Sequence, residues 1–140
     1  MTEKFKILAK YIKDLSSETP DVETYIFVKE HISKYNLSID IKSKALKDKH
    51  IEIETILRFE DKEESKKKSH FEMVFATVVK IDDDVTEKKE LEKIVLSDIP
   101  TKIYPDLEKS FLDLLHNSGY RGVKFDKKID FESLYKQKFN

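Results

Sequence analysis

Phe5, Ile7, Ala9 and Tyr11 alternate with Lys4, Lys6 and Lys10 at the start of the chain. A period of two puts the apolar set on one face and the lysines on the other, which predicts a half-buried strand over residues 4–12. The alternation stops at Lys13, and the stretch to Pro20 predicts a loop. The apolar run Tyr25-Ile26-Phe27-Val28 fits either a short strand or an extended loop anchored by its side chains. Three clearer alternations follow: Leu37, Ile39, Ile41; then Ile51, Ile53, Thr55, Leu57, Phe59; then Phe71, Met73, Phe75, Thr77, Val79, Ile81. Each predicts a strand with one buried face. Lys47-Asp48-Lys49 predicts a hairpin between the first two. The charge run from Glu60 to Ser69, with Lys66-Lys67-Lys68, predicts a solvated connection to the last. The intervening positions of that last strand include Val74, Ala76 and Val78, so its second face is also partly apolar. Such a strand belongs inside a sheet or under a partner.

From Thr86 the period becomes helical. Thr86 to Leu96 predicts a short helix that Pro100 interrupts. Thr101 to Ser118 predicts the main helix, on a stripe of Ile103, Leu107, Phe111, Leu114 and Leu115. Pro105 falls in its first turn or kinks it slightly, and Asn117-Ser118-Gly119 is its stop signal. Asp130 is an N-cap candidate for a last helix, Phe131 to Phe139. Four strands followed by helices predict an α+β fold, a four-stranded antiparallel sheet with helices packed on one face. The 140 residues fit one domain spanning 1–140.

Composition narrows the function. Lys and Arg number 27 against 28 Asp and Glu, so the basic excess of a general nucleic-acid binder is missing. Cys is absent, which removes thiol catalysis and cysteine-held metals. Two glycines leave almost no room for a phosphate-binding loop. No apolar run approaches the roughly 18 residues of a membrane span, and the N-terminus lacks the apolar core of a signal peptide. A cytoplasmic location without membrane insertion is the expectation.

The candidate chemistry is thin. His31, His50, His70 and His116 have no second ligand at metal spacing on the same predicted face. Asp82-Asp83-Asp84 lacks the glycine and distal glutamate of a calcium loop. Glu52 and Glu54 share an ordinary solvent face. The chain therefore calls for no catalytic residue, metal or cofactor. Apolar side chains are in surplus instead: Tyr104 and Leu112 lie off the main helix's stripe, and Val74, Ala76 and Val78 lie on the outer face of the last strand. Either they mark self-association or partner binding, or the strand faces are displaced by one residue and they are core.

Several segments together resemble the SecB protein-export chaperones. Tyr11-Ile12-Lys13-Asp14-Leu15-Ser16-Ser17-Glu18-Thr19-Pro20 looks like that family's opening Tyr-x-Lys-Asp-[Ile/Leu]-Ser-x-Glu-x-Pro segment. Ile94-Val95-Leu96 with Pro100, and Ile103-Tyr104-Pro105, resemble its apolar run before a proline and the start of its main helix. Asp126 and Ile129-Asp130-Phe131-Glu132-Ser133-Leu134-Tyr135 resemble its closing motif. The chain departs from the pattern at Val78-Val79, where the family usually has a glycine pair. It also departs at Asp106, Glu108 and Lys127, and it stops at Asn140 without the short basic tail of many members.

The resemblance implies a holdase that binds unfolded preproteins and delivers them to the SecA motor without consuming a nucleotide. It implies a homotetramer, built as a dimer of dimers that pair through the long helices, and Val78, Tyr104 and Leu112 are the expected interface residues. It places SecA binding on Asp14 and Glu18 together with Glu72 and Val74. It places client binding on Tyr25, Ile26, Phe27 and Val28. A divergent SecB-like chaperone dedicated to one partner such as an antitoxin, without SecA coupling, is the alternative. A small α+β enzyme is the second.

Overall fold

A computed structural model describes residues 4–62, 67–125 and 128–139. Lys66, Asp126, Lys127 and Asn140, each named above, lie outside the described residues. β1 (Phe5–Glu18), β2 (Asn36–Ala45), β3 (His50–Glu60) and β4 (His70–Ile81) form one antiparallel sheet in the order β1-β4-β3-β2. Partners across strands share a face. Ile51, Ile53, Thr55, Leu57 and Phe59 therefore join Phe71, Met73, Phe75, Thr77 and Val79 on the inner side. The β2–β3 hairpin closes where expected. Asp48 and Lys49 take φ of 58° and 60°, and the His50 amide donates to the Lys47 carbonyl at 3.2 Å. Two successive positive φ values make the tight turn whose twist suits a hairpin.

β1 departs from its expected form in two ways. It continues through Asp14 to Glu18, where a loop was expected, and it carries register shifts between Ile7 and Ala9 and between Ile12 and Asp14. Each shift inserts one unpaired residue, Leu8 and then Lys13, and each reverses the facing of the residues after it. Ala9 and Tyr11, expected beside Phe5 and Ile7 on the buried side, therefore point outward. Lys10 points inward instead, and its Nζ reaches Asp106 Oδ2 at 2.6 Å.

The helical layer starts at α2 (Lys88–Lys93) and reaches α3 (Ile99–Asn117) through one wide π turn, Ile94–Asp98. Pro100 was expected to interrupt the helix. The π turn instead lets the chain pass, because a wider turn relieves the clash between a proline ring and the preceding carbonyls. Ile99, Ile103, Leu107, Phe111 and Leu115 are buried as the inner stripe of α3. Lys10–Asp106 and a 2.6 Å bond between Ser17 and Ser118 hydroxyls mark its course alongside β1. Gly119 ends it at φ 105°, and the Tyr120 amide donates back to Leu115 at 3.0 Å. That is the glycine stop expected from the sequence. The last helix, α4 (Phe131–Phe139), is capped by Asp130, which accepts from the Ser133 amide at 3.0 Å.

Inside the core, the hydroxyls of Thr55 and Thr77 have no hydrogen-bond partner. A buried hydroxyl left unpaired costs more than the methyl that could replace it. Thr77→Val is expected to raise the unfolding free energy by about 1 kcal/mol in urea titration. A loss of stability would show that the hydroxyl is satisfied.

Candidate functional site

The outer face of the sheet gathers four residues that the sequence placed on a loop and a strand. Asp14 sits opposite Val74, Ser16 opposite Glu72, and Glu18 opposite His70. Asp14, Glu18, Glu72 and Val74 therefore share one corner of one face, all of them on strands. Glu72 is held at 3.5 Å by Arg58 Nη2 from β3 and at 3.5 Å by His70 Nε2.

Next to this corner, the bulged Lys13 spans two strands. Its Nζ donates to Glu54 Oε1 at 2.8 Å and to Glu52 Oε1 at 3.1 Å, while the Tyr11 hydroxyl donates to Glu52 Oε2 at 3.0 Å. The bonds to Glu54 and then Glu52 push the Lys13 ammonium up. Lys13, and after it Tyr11, hold the Glu52 carboxyl below the usual range. Tyr11 and Glu54 are the two cross-strand neighbours of Ala76, and Ala76 is fully buried on this outer side. Charged side chains thus roof an apolar centre, which also contains the buried Ile56 and half-buried Val74 and Val78.

Tyr25, Ile26, Phe27 and Val28 form neither a strand nor an extended loop. They lie in α1 (Val22–His31), where the Asp21 carboxylate caps the helix by accepting from the Thr24 amide at 2.7 Å. Four consecutive helical residues point in four directions. Val28 is fully buried, Ile26 is 52% exposed, and Phe27 stacks on His31 at 4.2 Å. The Tyr25 hydroxyl donates to the Gly119 carbonyl at 2.8 Å.

Val78, Tyr104 and Leu112 do not form one patch within the chain. Val78 is half-buried on the outer face, and Leu112 is half-buried against the core. Tyr104 is buried, edge-on to Phe131 at 5.6 Å between ring centres. Burial, and then the Glu108 charge, pushes its phenol up.

An apolar groove of about 690 Å³ went unrecognised in the sequence. Its walls include Ile32, Tyr35, Leu37, Phe59, Phe125 and Ile129. β2 is the outer strand on this side of the sheet, paired only with β3, so the groove lies beside a sheet edge. Tyr35 and Phe59 pack at 5.4 Å, and Phe125 lies edge-on to Phe59 at 5.6 Å. The only sequence signal was a scatter of lone aromatic and aliphatic residues after Gly119, too short for either periodicity. Among the described residues no group of His, Asp and Glu could hold a metal, and no helix is long and apolar enough to cross a membrane.

Comparison with known proteins fits this architecture. The profile of the SecB family, described as preprotein translocase subunit SecB, matches residues 1–140. A SecB-named protein of Pelagibacter ubique is 61% identical over 140 residues, covering all of both chains. The protein-export protein SecB of Rickettsia bellii is 30% identical over 134 residues, covering 94% of this chain and 86% of its own. The chain belongs to the SecB family. Its fold is also that of a Mycobacterium tuberculosis SecB-like chaperone solved with a peptide from the HigA1 antitoxin. That match has a TM-score of 0.63 at 12% identity, over 89% of this chain and 91% of the other. As a SecB chain it is a chaperone of protein export.

The outer-face network gives this SecB chain a defined acid response. A carboxyl held low, as at Glu52, contributes stability fully above its ordinary value of 4.5 and loses it as pH falls through the lower folded value. Asp21 and Asp130, lowered by their capping bonds, act with the same sign. The thermal midpoint is therefore expected to fall as the pH drops below the ordinary carboxylate range. Lys13→Met should lower it more at neutral pH than in acid, where protonation of Glu52 removes the charge that Lys13 holds. An equal loss at both would mean that Lys13 acts through packing alone.

Proposed function

We propose that the chain is a cytoplasmic holdase that keeps preproteins unfolded and passes them to SecA. Client binding is assigned to the groove between the edge of β2 and the segment around Phe125 and Ile129, with the exposed Ile26 and the Phe27 ring on α1 as further apolar contacts. Apolar contact is non-directional, so such a groove favours unfolded chains over native ones. The fold match to a SecB-like chaperone that holds a peptide supports this part of the reading. Val78 and Leu112 remain proposed contacts of a dimer of dimers, and Tyr104, buried in the chain, is proposed to support that interface from inside by shaping α3. Leu37→Ser with Ile129→Ser should weaken binding of an unfolded client by about tenfold or more, the cost of losing two apolar contacts. Unchanged affinity with native circular dichroism would place the client elsewhere.

The observation that carries SecA coupling is the convergence of Asp14, Glu18, Glu72 and Val74 on one outer corner. Three carboxylates around an apolar residue suit a partner surface that is basic with an apolar centre. Such charges steer encounter and weaken with salt. Asp14→Lys with Glu18→Lys sets like charges against that partner, at a cost of several kcal/mol. SecA binding should fall by about a hundredfold or more at low salt, while assembly mass and client binding persist. Retained SecA affinity with reduced stability would reassign both residues to structure.

A second reading rests on the mycobacterial SecB-like chaperone, whose bound peptide comes from an antitoxin. A chain dedicated to one such partner would hold that partner's peptide but would not bind SecA. Titration of purified SecA onto the chain separates the two readings.

A further inference from the structure

α1 is weakly held by its own apolar residues, since the most buried of them is Val28 and Val22 stands 68% exposed. Its apolar residues make no stripe, and ten residues are too few to hold a helix in water unaided. Its position depends on a few anchors. The first is Tyr25, whose hydroxyl bonds the Gly119 carbonyl at 2.8 Å and whose ring lies 5.3 Å from Tyr120. A Cβ added at Gly119 would lie 2.7 Å from that ring, so this seat exists only because residue 119 lacks one. The second is a hydroxyl chain that holds Thr19 and Tyr35, on either side of α1 in the sequence. Tyr120 and Ser69 hydroxyls lie 3.0 Å apart, Thr19 bridges to Ser69 at 2.7 Å, and the Ser69 amide donates to the Tyr35 hydroxyl at 3.2 Å.

These anchors flank the groove wall. α1 passes without a break into the short 3-10 turn Ile32–Lys34, and Ile32, Ser33 and Tyr35 line the groove. We infer that Tyr25 is a positioning residue for client binding: seated on Gly119, it docks α1 and thereby sets the groove wall at Ile32 and Ser33. The inference rests on the groove reading and deepens it. A groove that binds only with α1 docked has an affinity scaled by the docked fraction. By linkage, a client peptide must in turn favour docking.

The test measures amide hydrogen exchange of α1 and the dissociation constant of one fluorescent, extended apolar peptide on the full chain. Tyr25→Ala should speed α1 exchange by about tenfold or more and weaken the peptide by about the same factor, with β3 and β4 exchange unchanged. Tyr25→Phe, which keeps the ring and loses only the bond to Gly119, should fall between. In the unmutated chain the peptide should slow α1 exchange, which a purely structural Tyr25 would not produce. Ile26→Ser, on the exposed side, should leave α1 exchange unchanged. Fast α1 exchange in Tyr25→Ala with unchanged peptide affinity overturns the inference and leaves the groove reading standing. Absence of peptide binding to the unmutated chain overturns both.

Discussion

Two extra residues in β1 decide what each face of this sheet presents. β1 must stay paired with β4 from Phe5 to Glu18, yet it must give lysine and serine to the helical layer and tyrosine and acids to the outside. A regular strand cannot do this with the order of side chains present. The insertion at Leu8 turns Lys10 toward Asp106 and sends Tyr11 out over Ala76. The insertion at Lys13 turns the strand back, so Asp14 and Glu18 face outward while Ser17 meets Ser118. The facing reversals cancel, but the register displacement accumulates. Asp14 therefore lies across from Val74, where an unbroken ladder continued from Phe5↔Ile81 would have put it across from Glu72.

This explains which parts of the fold were legible. β2, β3 and β4 followed from alternation because each keeps a single register and one face is mostly apolar. The cap at Asp130 and the stop at Gly119 were legible because they depend on local backbone needs. The bulges were not, because Leu8 and Lys13 look like ordinary members of an alternating run. The π turn at Ile94–Asp98 was hidden for a related reason: a proline announces a missing hydrogen bond but not whether the helix will widen around it. In α1 the apolar run Tyr25-Ile26-Phe27-Val28 suggested extension. Asp21, three residues ahead of Thr24, was the local helix-start signal that outweighed it.

The candidate sites divide along the same line. The acidic corner came from a resemblance in sequence, and its residues meet in space because two strands carry them at compatible positions. The groove came from tertiary structure alone. Tyr35, Phe59 and the pair Phe125 and Ile129 are widely separated in the chain, and only the return of the segment after Gly119 toward β2 brings them together. Tyr25 was legible as an aromatic residue of interest. Its dependence on Gly119 was not, because a contact 94 positions away leaves no mark on local pattern.

The bulges of β1 also bear on how the chain avoids clumping with its own kind. An unpaired, regular, apolar strand edge is a template on which further strands stack without limit. β1 leaves such an edge open and displays Leu8, Ile12 and Leu15 along it. Its regular runs are nevertheless short: Phe5–Ile7, Ala9–Ile12 and Asp14–Glu18 are separated by the inserted residues. A twice-kinked edge accepts a partner shaped to the same kinks and rejects a flat one. Each inserted residue thereby interrupts the regular row of backbone groups on which a further strand would have to stack.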